Sequence, residues 1–570
     1  MTRSIAIVLA AAACGCAAFA ILADEPAGQA ENNSAAAASD SAGQTEAGSL
    51  YQGFSGYARK VTTKNADAQR WFDQGIQLLY GFNHDEAIRS FEQAAKLDPS
   101  CAMAWWGSAY ARGLHINNPE MGEEQSKLAY EAAVKAVAAL DNETPVEWAL
   151  VKAVRQRYAW PVPEDRGPLD KQYAAAMEAV WHEFPDDADV GALFAESLMN
   201  LQPWDLWTGA GAPKGRTLEI VAILERTLAK HPHHQGANHF YIHAIEGSPW
   251  PERGIPAAER LKALVPGSGH LVHMPSHIFI RVGRYDDSVA ANQRAIKADE
   301  SYFAVAPPPD FYSLYFIHNV HFLAYAAMME GRYETAIAAA RKIEKTIPPA
   351  FLKNYVTKAD GFMPTVWYVM IRFGKWEELL AEPEPPEWRL FSRAELRYSR
   401  SIALAALGRI DEAKQELKQG NQVAAELTDE WLMGNNSAEQ VATIARIMAE
   451  GEIAYREGNS ELAFKKLRAA VALEDELTYD EPPGWMQPVR HALGALLLAD
   501  GRAAEAEAVY QRDLERHPNN AWSLLGLQQA IAKQGRLDDA EALNQRVQQA
   551  WARADVKPVA SCYCHPDALK

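Results

Sequence analysis

The sequence predicts an all-α protein in which helix pairs stack into one continuous solenoid. Three observations predict this fold class: a two-helix unit that recurs along the chain, glycines at its tight turns, and prolines where its second helices end. The chain has 570 residues, of which 48% are hydrophobic and 23% charged, so it can bury a large core. We expect roughly a dozen helix pairs, each contacting mainly its neighbours.

The clearest repeat lies within residues 66–100. Its packing positions are occupied by small and aromatic residues and a closing proline, namely Trp71, Gly75, Ala87, Phe91, Ala94 and Pro99. In these positions the segment resembles a tetratricopeptide repeat (TPR), and the resemblance covers nearly everything from residue 66 to 555. It implies a superhelical TPR solenoid that binds ligands on its concave face.

Later repeats carry a turn glycine followed five positions on by a small residue. These pairs are Gly283 and Ser288, Gly331 and Ala336, Gly408 and Ala413, Gly501 and Ala506, and Gly535 and Ala540. Prolines stop the second helices because they lack an amide hydrogen; they are Pro99, Pro185, Pro232, Pro266, Pro348 and Pro518. Insertions rich in proline and glycine at 160–168, 203–215 and 302–311 predict loops at the solenoid edge.

The N-terminus has the layout of a secretory signal. A basic start, Met1-Thr2-Arg3, precedes an apolar run from Ile5 to Ala13 and then small residues. We assign residues 1–23 to a signal peptide, or to a lipoprotein signal in which Cys14 is lipidated, and residues 24–50 to a flexible tether. The expected location is therefore periplasmic or secreted, with or without a lipid anchor.

The remaining chain divides into the solenoid, 51–555, and a C-terminal tail, 556–570. In the tail, Cys562 and Cys564 either hold copper, form a disulfide or belong to a mobile end. A net charge of −18 without basic clusters argues against nucleic-acid binding. No later stretch has the ~20 apolar residues that a membrane helix needs.

Seven histidines share one face of three consecutive repeat helices in the segment 235–330. When the repeats are registered on their turn glycines and closing prolines, the three units begin at Gln235, Gly269 and Ile317. The second, fifth and ninth places then hold Gly236, His239, His243, His270, His273, His277, His318, His321 and Tyr325. At about 100° per residue these places form a stripe away from the packing seam. The TPR resemblance implies that they line the concave groove.

This stripe predicts a transition-metal site. Imidazole nitrogens bind zinc and copper, and histidines three or four residues apart on a helix can share an ion. Because the stripe offers nitrogen and little carboxylate, it favours copper or zinc over calcium or magnesium. The histidines can form one site of three or four ligands or two sites of three each, the latter reminiscent of coupled dicopper centres. Alternatively, neutral histidines hydrogen-bond a peptide or a small anion.

Other residues near the groove are candidates for binding or catalysis. Glu246 continues the stripe and is assigned as the catalytic residue, acting as a ligand, as an acceptor for a ligating histidine or as a general base. Candidates for holding a cofactor or substrate are Trp106, Tyr110, Trp204, Asp205, Trp207, Tyr312, Tyr315, Phe316 and Tyr325. The aromatic residues equally suit packing at the solenoid edges. We interpret His491 as an exposed histidine at the start of a helix.

Several strings resemble a family of exported bacterial repeat proteins, for which no catalytic assignment carries over. They are Gly81-Phe82-Asn83-His84-Asp85-Glu86-Ala87, Ala102-Met103-Ala104-Trp105-Trp106-Gly107, Gly269-His270-Leu271-Val272-His273-Met274-Pro275-Ser276-His277 and His318-Asn319-Val320-His321-Phe322. Three functions remain open on this sequence. The protein is a copper- or zinc-dependent oxidoreductase or hydrolase acting on a small molecule or peptide, a scaffold for protein or peptide partners, or a metal store.

Overall fold

The computed structural model describes residues 50–54, 56–306 and 311–569. The predicted signal peptide and the tether up to residue 49 lie outside these residues. None of the described helices is both long enough and apolar enough to cross a bilayer.

The regular secondary structure of the described chain is almost entirely helical, which confirms the predicted all-α solenoid. The helices of its first half are α1 (Ala66–Tyr80), α2 (His84–Leu97), α3 (Ala102–Ala111), α4 (Glu123–Ala138), α5 (Pro145–Arg155), α6 (Gly167–Glu183), α7 (Ala188–Met199), α8 (Thr217–Lys230), α9 (Gln235–Ile245), α10 (Ile255–Leu264), α11 (Gly269–His273), α12 (Pro275–Arg281), α13 (Tyr285–Phe303) and α14 (Ser313–Met329). Consecutive helices pack against each other along the array, as a repeat solenoid requires.

The second half continues the same pattern. Its helices are α15 (Tyr333–Thr346), α16 (Pro349–Asn354), α17 (Val356–Ala359), α18 (Thr365–Arg372), α19 (Trp376–Leu380), α20 (Leu390–Ala406), α21 (Ile410–Ala424), α22 (Ala438–Arg456), α23 (Ser460–Glu476), α24 (Val489–Ala499), α25 (Ala503–Arg516), α26 (Ala521–Lys533), α27 (Leu537–Ala542) and α28 (Asn544–Ala550). Short 3₁₀ helices lie at Pro251–Gly254, Asp360–Phe362 and Pro566–Leu569. The strands β1 (Leu432–Met433) and β2 (Asn436–Ser437) form a small antiparallel hairpin.

Residues at the predicted packing positions of the first repeat pack closely in the structure. Phe91 is fully buried between neighbouring helices. A Cβ atom at Gly75 would lie 2.7 Å from the Phe91 ring, and one at Gly107 would lie 2.4 Å from it. Both glycines are therefore required by close helix packing around one phenylalanine.

The turn glycines adopt the left-handed conformation that other residues rarely tolerate. Their φ angles are +73° at Gly283, +72° at Gly331, +78° at Gly408, +79° at Gly501 and +79° at Gly535. These residues end the first helix of each pair and reverse the chain. The register read from the sequence therefore matches the real turns.

The superhelix curls back on itself and brings distant repeats together. The loop between α23 and α24 contacts the central helices, where Glu481 accepts a hydrogen bond from His277, 204 residues earlier. The Trp522 indole N–H donates to the Met328 carbonyl at 2.7 Å. Two large hydrophobic clusters result, one mainly N-terminal and one C-terminal, and they adjoin at α12 and α14. The histidine stripe lies at this junction.

The C-terminal tail is packed, so the expectation of a mobile end is wrong. Cys562 and Cys564 form a disulfide, and Ser561 is fully buried. The Ser561 hydroxyl donates to the His491 carbonyl at 2.8 Å, and the Ser561 carbonyl accepts from Arg372. The tail thus fills the space between the ends of α18, α22, α24 and α26.

Removal of residues 556–570 should destabilise the solenoid. The buried Arg372 side chain would lose the Ser561 carbonyl as an acceptor, and Arg456 would lose the Cys564 carbonyl. We expect the free energy of unfolding to fall by about 2–4 kcal/mol, because hydrogen bonds to charged groups are lost and a buried charge is left underbonded. Denaturant unfolding measures the change. A chain that ends at residue 565 keeps these contacts, and equal midpoints for both truncations would contradict this role of the tail.

Candidate metal centre

Four helices carry the histidine stripe. Helices α9 and α11 begin at the predicted unit starts, Gln235 and Gly269. Helices α11 and α12 are separated at Pro275, which has no amide hydrogen to donate. The backbone at the junction stays in the α-helical region, because Met274 has φ −47° and ψ −37°. Helix α14 begins at Ser313, four residues before the predicted start at Ile317. The histidines of the stripe therefore keep the helical spacing that the sequence predicted.

The histidines are buried, although the sequence placed them in an open groove. His239 and His273 are fully inaccessible, and His318 is the most exposed of the seven, at an intermediate level. The covering residues come from the insertion around Trp204 and from the loop that contains Glu481, both of which lie over the stripe. The closed superhelix thus converts the expected groove into an interior site.

Six of the seven histidines form two groups of three. His239, His243 and His270 make the first group, and His273, His277 and His318 make the second. In each group one ligand atom from every residue lies within 4.8 Å of the others. The groups are side by side, because the rings of His243 and His277 are 5.8 Å apart and those of His270 and His273 are 6.0 Å apart. This arrangement corresponds to two sites of three ligands each.

In the first group, protein acceptors hold the Nδ1 atoms. His239 donates from Nδ1 to the Tyr80 carbonyl at 2.7 Å, and His243 donates from Nδ1 to Glu246 Oε1 at 2.9 Å. The Nε2 atoms of both residues therefore keep their lone pairs. His239 Nε2 lies 3.1 Å from His270 Nε2, while His243 Nε2 has no hydrogen-bond partner in the described chain.

The second group repeats this design. His273 donates from Nδ1 to Asn292 Oδ1 at 2.7 Å, and the Asn292 amide is oriented by its own donation to Ser276 at 2.9 Å. His277 donates from Nδ1 to Glu481 Oε2 at 2.9 Å. The Nε2 atoms of His273 and His277 lie 2.9 Å apart, and the His318 ring centre is 4.8 Å from that of His273.

Glu246 connects the two groups. Its Oε1 accepts from His243 of the first group, and its Oε2 lies 2.8 Å from His277 Nδ1 of the second. Glu481 contacts only the second group and also accepts a hydrogen bond from the Tyr479 hydroxyl. Glu246, His277 and Glu481 also satisfy the spacing of a ligand triad. Their hydrogen bonds to Nδ1 atoms are those of residues that orient ligating histidines.

Burial and mutual repulsion keep most of the cluster neutral. Burial is the main cause that lowers the pKa of four of these histidines well below the ordinary value, and neighbouring histidines lower it further; they are His239, His270, His273 and His318. Burial opposes the charge of His277 too, but the carboxylates of Glu246 and Glu481 raise its pKa to about 10. Against the effect of burial, His277 and His243 lower the pKa of Glu246 to about 2. The anionic Glu246 thus lies between the neutral His243 and the positively charged His277.

Phe82 forms part of the wall of the first group. Its ring centre lies 4.6 Å from that of His239 and 5.6 Å from that of His270. Phe82 has φ +55°, a left-handed conformation that a residue with a Cβ atom adopts only at an energetic cost. The turn between α1 and α2 therefore holds this ring against the histidines.

A cavity of about 200 Å³ opens onto both groups. His243 and His270 of the first group and His277 and His318 of the second line it, together with Glu246 and Glu481. Most of the remaining wall is apolar, with Trp204, Phe311, Leu314, Tyr315, Phe351, Tyr355, Phe362, Leu432 and Met433 among the lining residues. A small molecule in this cavity would contact both groups of histidines.

His321 belongs to the cavity but to neither group. Its Nε2 lies 3.1 Å from the Met486 sulfur and its Nδ1 has no hydrogen-bond partner among the described residues. It sits three residues after His318 on α14, and its ring is directed toward Phe362, with ring centres 5.3 Å apart. His321, a candidate ligand from the sequence, therefore lies outside both groups.

Seven of the nine candidate binding residues do not line the cavity, namely Trp106, Tyr110, Asp205, Trp207, Tyr312, Phe316 and Tyr325. Trp106 and Tyr110 are buried in the N-terminal core, where the Tyr110 hydroxyl donates to Glu196. Asp205 pairs with Lys214 within its own insertion. Tyr325 is buried in the C-terminal core. The aromatic residues fill packing gaps, which was the alternative interpretation, whereas Trp204 and Tyr315 do line the cavity.

Histidines outside the stripe have structural partners. His491 is buried and not exposed as expected, because its Nε2 lies 2.9 Å from Asp513 Oδ2 and Arg372 donates to its Nδ1. His234 is also buried: its Nδ1 caps α9 and its Nε2 lies 3.0 Å from Asp189 Oδ1. Neither residue reaches the two groups.

Sequence reasoning missed Glu481, Asn292 and Phe82. Asn292 and Glu481 come from α13 and from the loop before α24, and no local spacing connects either to the stripe. Phe82 was visible only as part of the string Gly81-Phe82-Asn83-His84, which follows the first repeat helix. Glu481 lies eight residues before α24, so no position within a repeat helix marked it.

The match to a protein-family model supports the repeat assignment. Residues 72–112 match the family model for a tetratricopeptide repeat. Among solved structures, the human IFIT1 dimer with m7Gppp-AAAA is similar at 12% identity, over 86% of this chain and 92% of that chain, with a TM-score of 0.30. An IFIT1 monomeric mutant with Gppp-AAAA is similar at 11% identity, over 83% of this chain and 95% of that chain, with a TM-score of 0.32. Comparison with curated protein sequences gives no match.

Proposed function

We propose that this tetratricopeptide-repeat protein binds two transition-metal ions, copper or zinc, one in each group of three histidines. The observation that carries this proposal is the shared orientation of the imidazoles. His239, His243 and His273 each donate from Nδ1 to a protein acceptor, which leaves Nε2 for an ion. His277 also donates from Nδ1, and an ion would displace the proton from its Nε2. Such hydrogen bonds fix the tautomer and the ring orientation of metal-binding histidines.

The spacing of the nitrogens fits a shared ion. Two nitrogens that bind one zinc ion at about 2.0–2.1 Å lie at most about 4.2 Å apart. The pairs at 2.9 and 3.1 Å already satisfy this limit, and the third ligand of each group lies within 4.8 Å. Small side-chain rotations would therefore complete each set.

The ligand set favours copper or zinc. All six ligands are imidazoles, whereas calcium and magnesium require oxygen ligands. Glu246 and Glu481 bring two buried carboxylates to the centre and would offset part of the positive charge of the ions. Glu246 acts by this proposal as a positioning residue for His243 and His277.

The cavity beside the two groups supports a catalytic role. A bound ion of this kind supplies Lewis acidity and can activate water or dioxygen. The chain contributes an apolar chamber that limits water access and a rigid set of side chains that would orient a small substrate. We therefore propose an oxidoreductase or hydrolase in preference to a metal store.

A role as a scaffold follows only from the class of repeat. Tetratricopeptide repeats suggest protein or peptide partners, and other faces of the solenoid can serve them. The stripe histidines are poorly placed for an extended peptide, because five of the six in the two groups are buried. Their burial supports an ion as their ligand.

We propose that the protein works in the periplasm or outside the cell. This location is supported by the signal-like segment at residues 1–23 and by the low-complexity stretch that follows it. Cell fractionation of the full-length protein tests it, and a mainly cytoplasmic protein of unprocessed mass would contradict it.

Equilibrium dialysis tests the metal specificity. Metal-free protein should retain close to two copper or zinc ions per chain and no magnesium. The variant His321→Ala is the matched control, because His321 lies on the same helix as His318 but in neither group, and it should retain as much metal as the unaltered chain. Retention of no transition metal, or a loss caused by His321→Ala, would contradict the proposed ligand sets.

A further inference from the structure

The cavity next to the two histidine groups has the size and the lining of a binding site for one aromatic ring. Its volume is about 200 Å³, and an engineered apolar cavity of about 150 Å³ in another protein binds benzene. Seven phenylalanine, tyrosine and tryptophan side chains line it: Trp204, Phe311, Tyr315, Phe351, Tyr355, Phe362 and Tyr479. Aromatic walls favour a planar ring, because edge-to-face and offset contacts add to the burial of its surface.

Lys358 is the one lysine or arginine among the residues that line this cavity in the described chain. It lies on the short helix α17 and is partly exposed. No carboxylate of a described residue lies within ion-pair distance of its ammonium group, and Glu120 acts on it only from a greater distance. Its charge is thus available to a ligand.

The acidic residues in the cavity wall are, in contrast, already satisfied by the protein. Glu246 and Glu481 contact His243 and His277. Asp480 accepts hydrogen bonds from the backbone amides of Asn435 and Glu481, at 2.9 and 3.1 Å. His277, the other cationic group in the wall, is itself paired with Glu246 and Glu481. The ammonium of Lys358 is therefore the positive charge that can pair with a ligand, and the cavity favours an anion.

We infer that the cavity binds a small aromatic carboxylate, with its ring among the aromatic side chains and its carboxylate on the Lys358 ammonium. This inference deepens the proposed function, since a ring bound here contacts His243, His277 and His318 and is thereby the substrate class of the metal centre. The binding itself requires no ion. Cavity and metal centre can therefore be tested separately.

Calorimetric titration of the full-length, metal-free protein with benzoate tests the inference. Benzamide is the neutral analogue of the same shape and benzylammonium the cationic one. Benzoate should bind at least about fivefold more tightly than benzamide, because a charge-assisted hydrogen bond is stronger than a neutral one and Lys358 is only partly shielded from water. Benzylammonium should bind more weakly than either.

Two lysine variants identify the contact. Lys358→Gln should lower benzoate affinity at least about fivefold and leave benzamide affinity unchanged. Lys353→Gln is the matched control, because Lys353 is exposed on the neighbouring helix α16 and does not line the cavity, and it should change neither. Equal affinity for benzoate and benzamide, or benzoate binding that survives Lys358→Gln, would overturn the inference.

The outcomes also separate this inference from the proposed function. If benzoate binding depends on Lys358 but the protein retains no transition metal, the proposal of a cavity site holds and the proposal of a metal centre is wrong. If the protein retains two ions but binds benzoate and benzamide equally, the proposal of a metal centre holds and the proposal of an anion site is wrong. A repeat titration of the zinc-loaded protein then shows whether the ring and the ions occupy the site together.

Discussion

Replacement of His273 by alanine should remove one metal ion and leave the other in place. His273 contributes its Nε2 to the second group, where the Nε2 of His277 lies 2.9 Å away. Zinc binding to four-ligand sites is worth about 10–16 kcal/mol, so loss of one ligand of three lowers affinity by more than about 100-fold. Zinc retained after gel filtration should therefore fall from about two ions per chain to about one.

His239→Ala is the reciprocal variant. His239 belongs to the first group and is held by the Tyr80 carbonyl, so its loss should spare the second ion. The double variant should retain neither. Loss of both ions from either single variant would instead indicate one shared site, and full retention by both would show that these histidines are not ligands.

The change Glu246→Gln should lower the affinity for both metal ions. Its carboxylate accepts from His243 of the first group and lies against His277 of the second, and no other described residue contacts both groups in this way. Replacement by a neutral amide of the same shape removes the negative charge that lies beside the imidazoles of His243 and His277. We expect an affinity loss of about tenfold or more at each site, the usual effect of changing an orienting partner.

Glu481→Gln provides the comparison for Glu246→Gln. Glu481 touches His277 alone among the six histidines, so only the second ion should be released more readily to a competing chelator. Chelator competition followed by optical titration measures the two affinities separately. Equal behaviour of the two variants would show that Glu246 does not join the groups.

Local periodicity explains why the six clustered histidines could be predicted from the sequence. Turn glycines and closing prolines fix the register of each repeat, and the register fixes which face every residue occupies. Helices α9 and α11 begin where that register places them, at Gln235 and Gly269. The fold class follows from the same features, because each helix pair can bury its apolar face only against a neighbour.

Contacts between distant repeats explain what could not be predicted. Glu481 meets His277 across 204 positions, and this contact depends on the curvature of the whole superhelix. The same curvature buries the stripe and moves Tyr325 into the C-terminal core, although Tyr325 continues the histidine register. His321 follows the register too, but its Nε2 lies against the Met486 sulfur and reaches neither group. Small rotations per repeat add up over the array and are not encoded in any one repeat.

The most direct test is the metal content of the unaltered protein, produced with its own signal segment and purified without a histidine tag. Elemental mass spectrometry should find close to two copper or zinc ions per chain. Protein that contains no transition metal, and that acquires none when supplied with either ion, would contradict the assignment of the two histidine groups as a metal centre.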